Sequence, residues 1–199
     1  MAPTVSSDPV FTNGDREILF QVASDSIRYG LDHDCPLPIN PLDYPDRFGD
    51  PQATFVTLHR DNELRGCIGT LEPRDPLVTS IAVNAFQAAF RDPRFTPVQY
   101  SELDRISLDI SVLSKPEPLA FRNQEDLLGL LQPGRDGLIL EEKALRGTFL
   151  PSVWKSIDDP LQFLQQLKRK TGLSTEYWSD TIRIYRYTTE TFSQSGLTP

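Results

Sequence analysis

Apolar positions along the chain change period from segment to segment, and the changes mark out its elements. Ile18, Leu19, Val22, Ala23 and Ile27 recur near 3.6, predicting a helix capped by Asp15 and stopped by Gly30. Ala53–Arg60 and Glu63–Thr70 read as strands around a two-residue Asp61-Asn62 turn, since asparagine tolerates positive φ. Leu77, Val78, Ile81, Ala82, Ala85, Phe86 and Ala89 line one face of a second helix, opened by Asp75-Pro76 and closed by Asp92-Pro93. Ile106, Leu108, Ile110 and Val112 alternate with Ser107, Asp109 and Ser111, predicting a strand with one buried and one polar face. A short leucine-rich helix over 127–131 follows, then a hairpin of Gly137–Glu141 and Leu145–Leu150. A helix from Asp159-Pro160 to Gly172 and a strand Thr181–Tyr187 complete the pattern. Hairpins with separate helices, lacking regular βαβ alternation, predict an α+β fold built on a mainly antiparallel sheet with flanking helices. Residues 1–11 and 193–199 read as tails around one domain, 12–192.

Composition narrows the class. Of 199 residues, 38% are hydrophobic and 24% charged, which fits a chain with a real core and no disordered acidic tail. No apolar run reaches about 18 residues and the start lacks a signal-peptide pattern, so a soluble cytoplasmic protein without membrane contact is expected. Two cysteines fit free thiols in a reducing compartment. The net charge of −8 is uneven: residues 1–59 carry nine acidic and three basic side chains, the rest nineteen and seventeen. The segment 31–52 holds five aspartates and five prolines and reads as an ordered surface loop. This acidity disfavours nucleic-acid binding, whose affinity comes mostly from phosphate neutralisation.

The candidate chemistry gathers around Arg65-Gly66-Cys67-Ile68-Gly69-Thr70. Two glycines within four strand residues suggest a bulge or a close backbone approach. A guanidinium near a thiol favours its nucleophilic form, whereas a packed cysteine is inert. With a regular register about Asp61-Asn62, Cys67 faces Val56, His59 faces Leu64, and Arg65 shares a face with Cys67. His59 then falls on the opposite face, unless a bulge at Gly66 reverses the parity. Arg91-Asp92-Pro93-Arg94-Phe95 reads either as a helix ending or as a turn in which Asp92 orients Arg94 toward an anion. Leu145-Arg146-Gly147 echoes Leu64-Arg65-Gly66, each opening the second strand of a predicted hairpin. Arg65, Arg94 and Arg146 are expected to converge with Cys67 on one concave site for an anionic small molecule. Lys168-Arg169-Lys170 reads as a solvated helix end. His33, Cys35, His59 and Cys67 match no zinc spacing, so no metal site is expected. No cofactor is indicated, and no serine-nucleophile elbow, P-loop or dinucleotide fingerprint is present.

Leu64-Arg65-Gly66-Cys67-Ile68-Gly69-Thr70, Ala89-Phe90-Arg91-Asp92-Pro93-Arg94-Phe95 and Ile110-Ser111-Val112-Leu113-Ser114 together resemble the AMMECR domain family. So do Asp136–Leu140, Arg146–Pro151 and Leu167–Leu173. The resemblance spans about residue 15 to Phe192. Bacterial and archaeal members are called AmmeMemoRadiSam system protein A. It implies an α+β protein of two unequal subdomains with a cleft near the Arg-Gly-Cys-Ile-Gly segment. It also implies association with a Memo-like protein and a radical SAM protein. Two functions follow. One is an enzyme or enzyme component using Cys67, with Arg65, Gly66, Gly69, Asp92, Arg94 and Arg146 as binding residues. The other is a non-catalytic adaptor for a protein partner in which Cys67 only packs.

Overall fold

The computed structural model describes residues 10–197. In chain order the elements are helix α1 (Asn13–His33), strands β1 (Thr54–Arg60) and β2 (Glu63–Gly69), helix α2 (Leu77–Phe90) and strand β3 (Ile106–Leu113). There follow β4 (Glu117–Pro118), α3 (Gln124–Leu130), β5 (Gly137–Glu142), β6 (Leu145–Phe149), α4 (Pro160–Thr171), β7 (Arg183–Tyr187) and β8 (Thr189–Gln194). The fold is α+β, and the chain divides into two compact units, residues 1–113 with 190–199 and residues 114–189. No described helix is long and apolar enough to cross a membrane.

In the first unit the strand order is β2-β1-β3-β8, so β2 is an edge. Val56 and Leu58 lie opposite Ile110 and Leu108, and this row is buried in one core with Leu19, Ile27, Leu77, Ile81 and Ala85 of α1 and α2. The alternation of β3 survives intact, leaving Ser107, Asp109 and Ser111 on the other face, half-buried. A buried polar set fastens α2 to β1: the Asn84 amide donates to Thr54 Oγ1 at 2.8 Å, and Ser80 Oγ lies 2.7 Å from the same oxygen.

In the second unit the order is β4-β7-β5-β6. Leu138, Leu140 and Ile184 form its core with Phe163, Leu164 and Leu167 of α4 and with Trp154, whose indole stacks on Phe163 at 3.8 Å. Asp159 caps α4 through Gln162 N, and Gly172 ends it in the left-handed region, as the sequence predicts.

Several boundaries differ from the sequence reading. Helix α1 is capped by Thr12, with Asp15 as the reciprocal third-position partner, and it runs past Gly30 to a left-handed Asp34. Gly30 lies against the Phe86 and Phe90 rings instead of ending the helix. Residues 41–43 and 46–48 form short 3₁₀ turns within the predicted loop. Of the predicted tails, 1–9 and 198–199 lie outside the described residues. Phe11 is buried against Phe192, and residues 193–194 belong to β8. Lys168 is no solvated end. It is fully buried, with Nζ donating to Gln124 Oε1 at 2.6 Å and to the Thr175 carbonyl at 3.1 Å, and it lies over the Trp178 ring. Desolvation lowers its pKa. A single charged methylene-rich residue inside a basic run gives no sequence signal of that burial.

Candidate functional site

The Asp61-Asn62 turn forms as expected, with both residues at positive φ, 54° and 69°. The first two pairs, Arg60↔Glu63 and His59↔Leu64, follow the regular register; beyond them it slips by one, so Gly66 lies opposite Leu58 and Cys67 opposite Thr57. Arg65 is the inserted residue of a β-bulge. Two contacts account for the slip. A Cβ on Gly66 would stand 2.1 Å from the Ala88 carbonyl oxygen, so only glycine allows α2 to sit this close. Arg65 is withdrawn from solvent, its Nε and Nη2 donating to the two oxygens of Glu102 at 2.9 and 3.0 Å. Glu102 also accepts from Arg60 at 2.6 Å. Hydrogen bonds from Arg65 hold the Glu102 carboxyl down at about 2, against the pull of burial.

The slip reverses the parity of Cys67. The expected pairing of Cys67 with Val56 is replaced by a row of Cys67, Thr57 and Asp109, each directly opposite the next across β2, β1 and β3. The Thr57 hydroxyl donates to Cys67 Sγ at 3.2 Å. His59, two residues along β1 from Thr57, therefore shares the face of Cys67 instead of opposing it. Its Nε2 is 3.0 Å from Asp109 Oδ2, and both side chains are about one-third exposed. Arg65 does not accompany Cys67. Its guanidinium is committed to Glu102, and the guanidinium beside Cys67 comes from Arg94.

That second arginine is placed by the turn after α2. Asp92 is buried, and its Oδ2 accepts the Cys67 backbone N–H at 2.9 Å. Arg94 grips the same carboxylate through Nε to Oδ1 at 2.9 Å and Nη2 to Oδ2 at 2.6 Å, and Nη2 also reaches the Cys67 carbonyl at 3.3 Å. The Arg94 N–H closes back on Oδ1 at 3.1 Å, an Asx-type turn. Hydrogen bonding from Arg94 and Cys67 holds the Asp92 carboxyl well below its usual range despite burial. Asp92 raises the Arg94 pKa in turn, and the charge of a Cys67 thiolate adds to that shift. The Asp92–Arg94 pair thus takes both outward backbone groups of Cys67 on the β2 edge, where a neighbouring strand would bind. The Arg94 side chain is 54% exposed, so its guanidinium is anchored on one side and open on the other.

The arginines of the sequence reading each have a carboxylate of their own: Arg65 has Glu102, Arg94 has Asp92, and Arg146, in the second unit, has Glu141 at 3.3 Å. Gly69 ends β2 opposite Phe55, whose ring fills the space a side chain would take. Cys35 is exposed and Cys67 half-buried, and both are free thiols. The sequence reading places His59 on the opposite face from Cys67 unless a bulge intervenes, and the bulge at Arg65 brings it to the same face. Thr57, Asp109 and Glu102 are absent from the sequence-predicted site, although Asp109 sits at a polar position of an alternating strand.

The family model described as AMMECR1 matches residues 20–192 of this chain. A protein of Methanothermobacter thermautotrophicus is 40% identical over 162 residues, covering 78% of this chain and 82% of the relative. One from Methanocaldococcus jannaschii is 38% identical over 159 residues, covering 76% and 77%. The crystal structure of the uncharacterised protein PH0010 from Pyrococcus horikoshii superposes with a TM-score of 0.75 at 33% identity, over 91% of this chain and 92% of that one. With its Arg-Gly-Cys strand and Arg-Asp-Pro-Arg turn joined through one buried carboxylate, this chain belongs to the AMMECR1 family.

Proposed function

We propose that this protein is the A component of an AmmeMemoRadiSam system, acting with a Memo-like protein and a radical SAM protein. In this reading it binds an anionic small molecule at Arg94 and uses Cys67 as the nucleophilic or acceptor thiol. The observation that carries it is the Asp92 carboxylate, which joins the Cys67 N–H to the Arg94 guanidinium within 3 Å of both. A guanidinium held by a buried carboxylate is already ordered, so an incoming carboxylate or phosphate meets a fixed donor at little conformational cost. The exposed half of Arg94 and the half-buried sulfur lie on the same strand edge.

Two measurements test this. Brief iodoacetamide treatment of the native protein, followed by peptide mapping, should label Cys67, and an anionic metabolite that raises the melting temperature should protect it. Arg94→Gln should abolish that stabilisation. Labelling confined to Cys35, with Cys67 silent until unfolding, overturns the thiol role. It leaves a protein-binding adaptor in which Cys67 packs.

A further inference from the structure

We infer that His59, oriented by Asp109, is the proton-transfer partner of Cys67, so that the polar face of the first sheet carries a thiol–imidazole–carboxylate set. The inference rests on the reading of Cys67 as a reactive thiol and adds how its proton is handled, for an anionic electrophile held by Arg94. The placement follows from the bulge. Cys67 and Asp109 flank Thr57 in one cross-strand row, and His59 is the next residue of β1 on that face. His59 and Cys67 thus lie diagonally on one face with the bulge between them; diagonal neighbours in an unbulged pair are about 7–8 Å apart, a span that one water or one substrate atom between the side chains closes. Cys67, His59 and Asp109 do not gather closely enough to hold a metal ion, as no such cluster occurs among the described residues.

The chemistry of each group fits a role. The Asp109 carboxylate takes Nε2 of the imidazole at 3.0 Å, which fixes the ring and leaves Nδ1 as the second proton site. Thr57 holds the sulfur through its hydroxyl at 3.2 Å. When sulfur attacks carbon, the S–H proton passes to His59, the S–C bond forms as the carbon–leaving-group bond breaks, and the leaving group departs with its electron pair. Asp109 then faces an imidazolium, which it stabilises. Along β2 the charged neighbour of Cys67 is the Arg94–Asp92 pair, and the Arg105–Asp61 pair sits at the turn beyond His59.

The test is the pH profile of Cys67 alkylation by iodoacetamide, normalised to Cys35 in the same molecule. Wild type should show an inflection beyond simple thiol ionisation. His59→Gln should remove it and slow Cys67 about tenfold or more near neutral pH, with Asp109→Asn intermediate. Unchanged rates and profiles in both variants overturn the role of His59 while leaving Cys67 as the thiol; a Cys67 silent in wild type removes the thiol reading itself. A second readout needs no variant. The chain has two histidines, and NMR titration of His59 should shift when Cys67 is alkylated while His33 stays put. A His59 titration indifferent to Cys67 alkylation overturns the inference.

Discussion

The β1–β2 and β5–β6 hairpins carry the same three residues, Leu-Arg-Gly, within the first four positions of their second strands and end with different registers. Leu64 and Leu145 are both 43% exposed, and both glycines lie where a helix crosses the strand. A Cβ on Gly66 would meet the Ala88 carbonyl oxygen at 2.1 Å, and one on Gly147 would meet Thr171 Oγ1 at 2.1 Å. The arginines part company. Arg146 pairs directly across the ladder with Glu141, in the open, and its hairpin keeps an unbroken register from Glu142↔Leu145 to Leu138↔Phe149. Arg65 turns out of the ladder to a carboxylate 37 residues away, and its hairpin slips by one. The tripeptide therefore encodes close packing of helix on strand, while the location of the arginine's carboxylate separates the bulged hairpin from the regular one. Only the bulged one carries a cysteine over to the face of His59 and Asp109.

The contrast should be largest when each arginine loses its carboxylate. Glu102→Gln leaves Arg65 buried with its charge uncompensated, and its Nη1 is already buried without a hydrogen-bond partner. Breaking a buried pair from one side costs about 3–5 kcal/mol, whereas an exposed pair such as Arg146–Glu141 is worth about 0–1 kcal/mol. Urea denaturation of Glu102→Gln and Glu141→Gln should show that difference. Equal losses would mean that Arg65 contributes no more than a surface ion pair, and would remove the proposed cause of the bulge.

Acid should reproduce part of that loss. The Glu102 carboxyl is lowered from 4.5 to about 2 in the folded protein, chiefly by hydrogen bonds from Arg65. The unfolded chain therefore binds the proton more readily. The stabilisation, roughly 3 kcal/mol, is fully present above the unfolded value and lost as pH falls from about 4.5 toward 2. Asp92, also lowered, adds to the loss in the same direction. The stability gap between wild type and Glu102→Gln should accordingly be flat above pH 5 and close at low pH; a gap independent of pH down to 2 would contradict the assignment.

Much of this was legible in the residues and the decisive step was not. Periodicity located both hairpins, α2, β3 and α4, because each buries one face and states its period in the side chains. The Asp61-Asn62 turn was legible because few residue pairs accept two positive φ values. Paired glycines suggested a bulge, yet its position depends on the burial of Arg65 against Glu102, a long-range contact that no local pattern reports. Strand β8 was missed for a related reason. Its sequence Thr-Glu-Thr-Phe-Ser-Gln buries Phe192 alone, and it exists because the chain returns to the open edge of the first sheet. Both readings of residues 91–95 hold in their geometry: the helix ends at Phe90 and Asp92 grips Arg94, since a short acidic side chain before proline can reach the backbone two residues on.

The glycines offer a finer test. Alanine at Gly66 would press on backbone, which cannot rotate away, whereas at Gly147 the nearest atom is a side-chain hydroxyl. Overpacking of this kind costs about 1–3 kcal/mol, with Gly66→Ala toward the upper end. Removing the obstacle should rescue only one of them: Thr171→Ala should lessen the cost of Gly147→Ala in a double-mutant cycle. The Gly66 site has no side chain to remove, since Ala88 intrudes with its carbonyl. Equal costs, or no coupling between 147 and 171, would mean that the two hairpins meet their helices differently from what these contacts imply.

The smallest effect separates Thr148, which follows the tripeptide in the regular hairpin, from Thr57, which faces the Cys67 that follows it in the bulged one. Thr148 in the regular hairpin donates to the Leu138 carbonyl at 2.9 Å and lies 3.2 Å from the Tyr187 hydroxyl. Thr57, opposite Cys67, spends its hydroxyl on a sulfur at 3.2 Å. Valine suits both strand positions and keeps the shape, so each substitution reads mainly the lost hydrogen bonds. Thr148→Val should cost about 1 kcal/mol, since it strips the Leu138 carbonyl of a donor in partly buried surroundings, while the Tyr187 hydroxyl keeps the Phe149 carbonyl. Thr57→Val should cost less than about 0.5 kcal/mol, because sulfur is a weak acceptor. Its mark should appear instead in reactivity, as a several-fold change in the Cys67 alkylation rate at fixed pH with the melting temperature nearly unmoved. A Thr57→Val protein that loses as much stability as Thr148→Val, with Cys67 reacting as before, would show that Thr57 serves the fold and not the thiol.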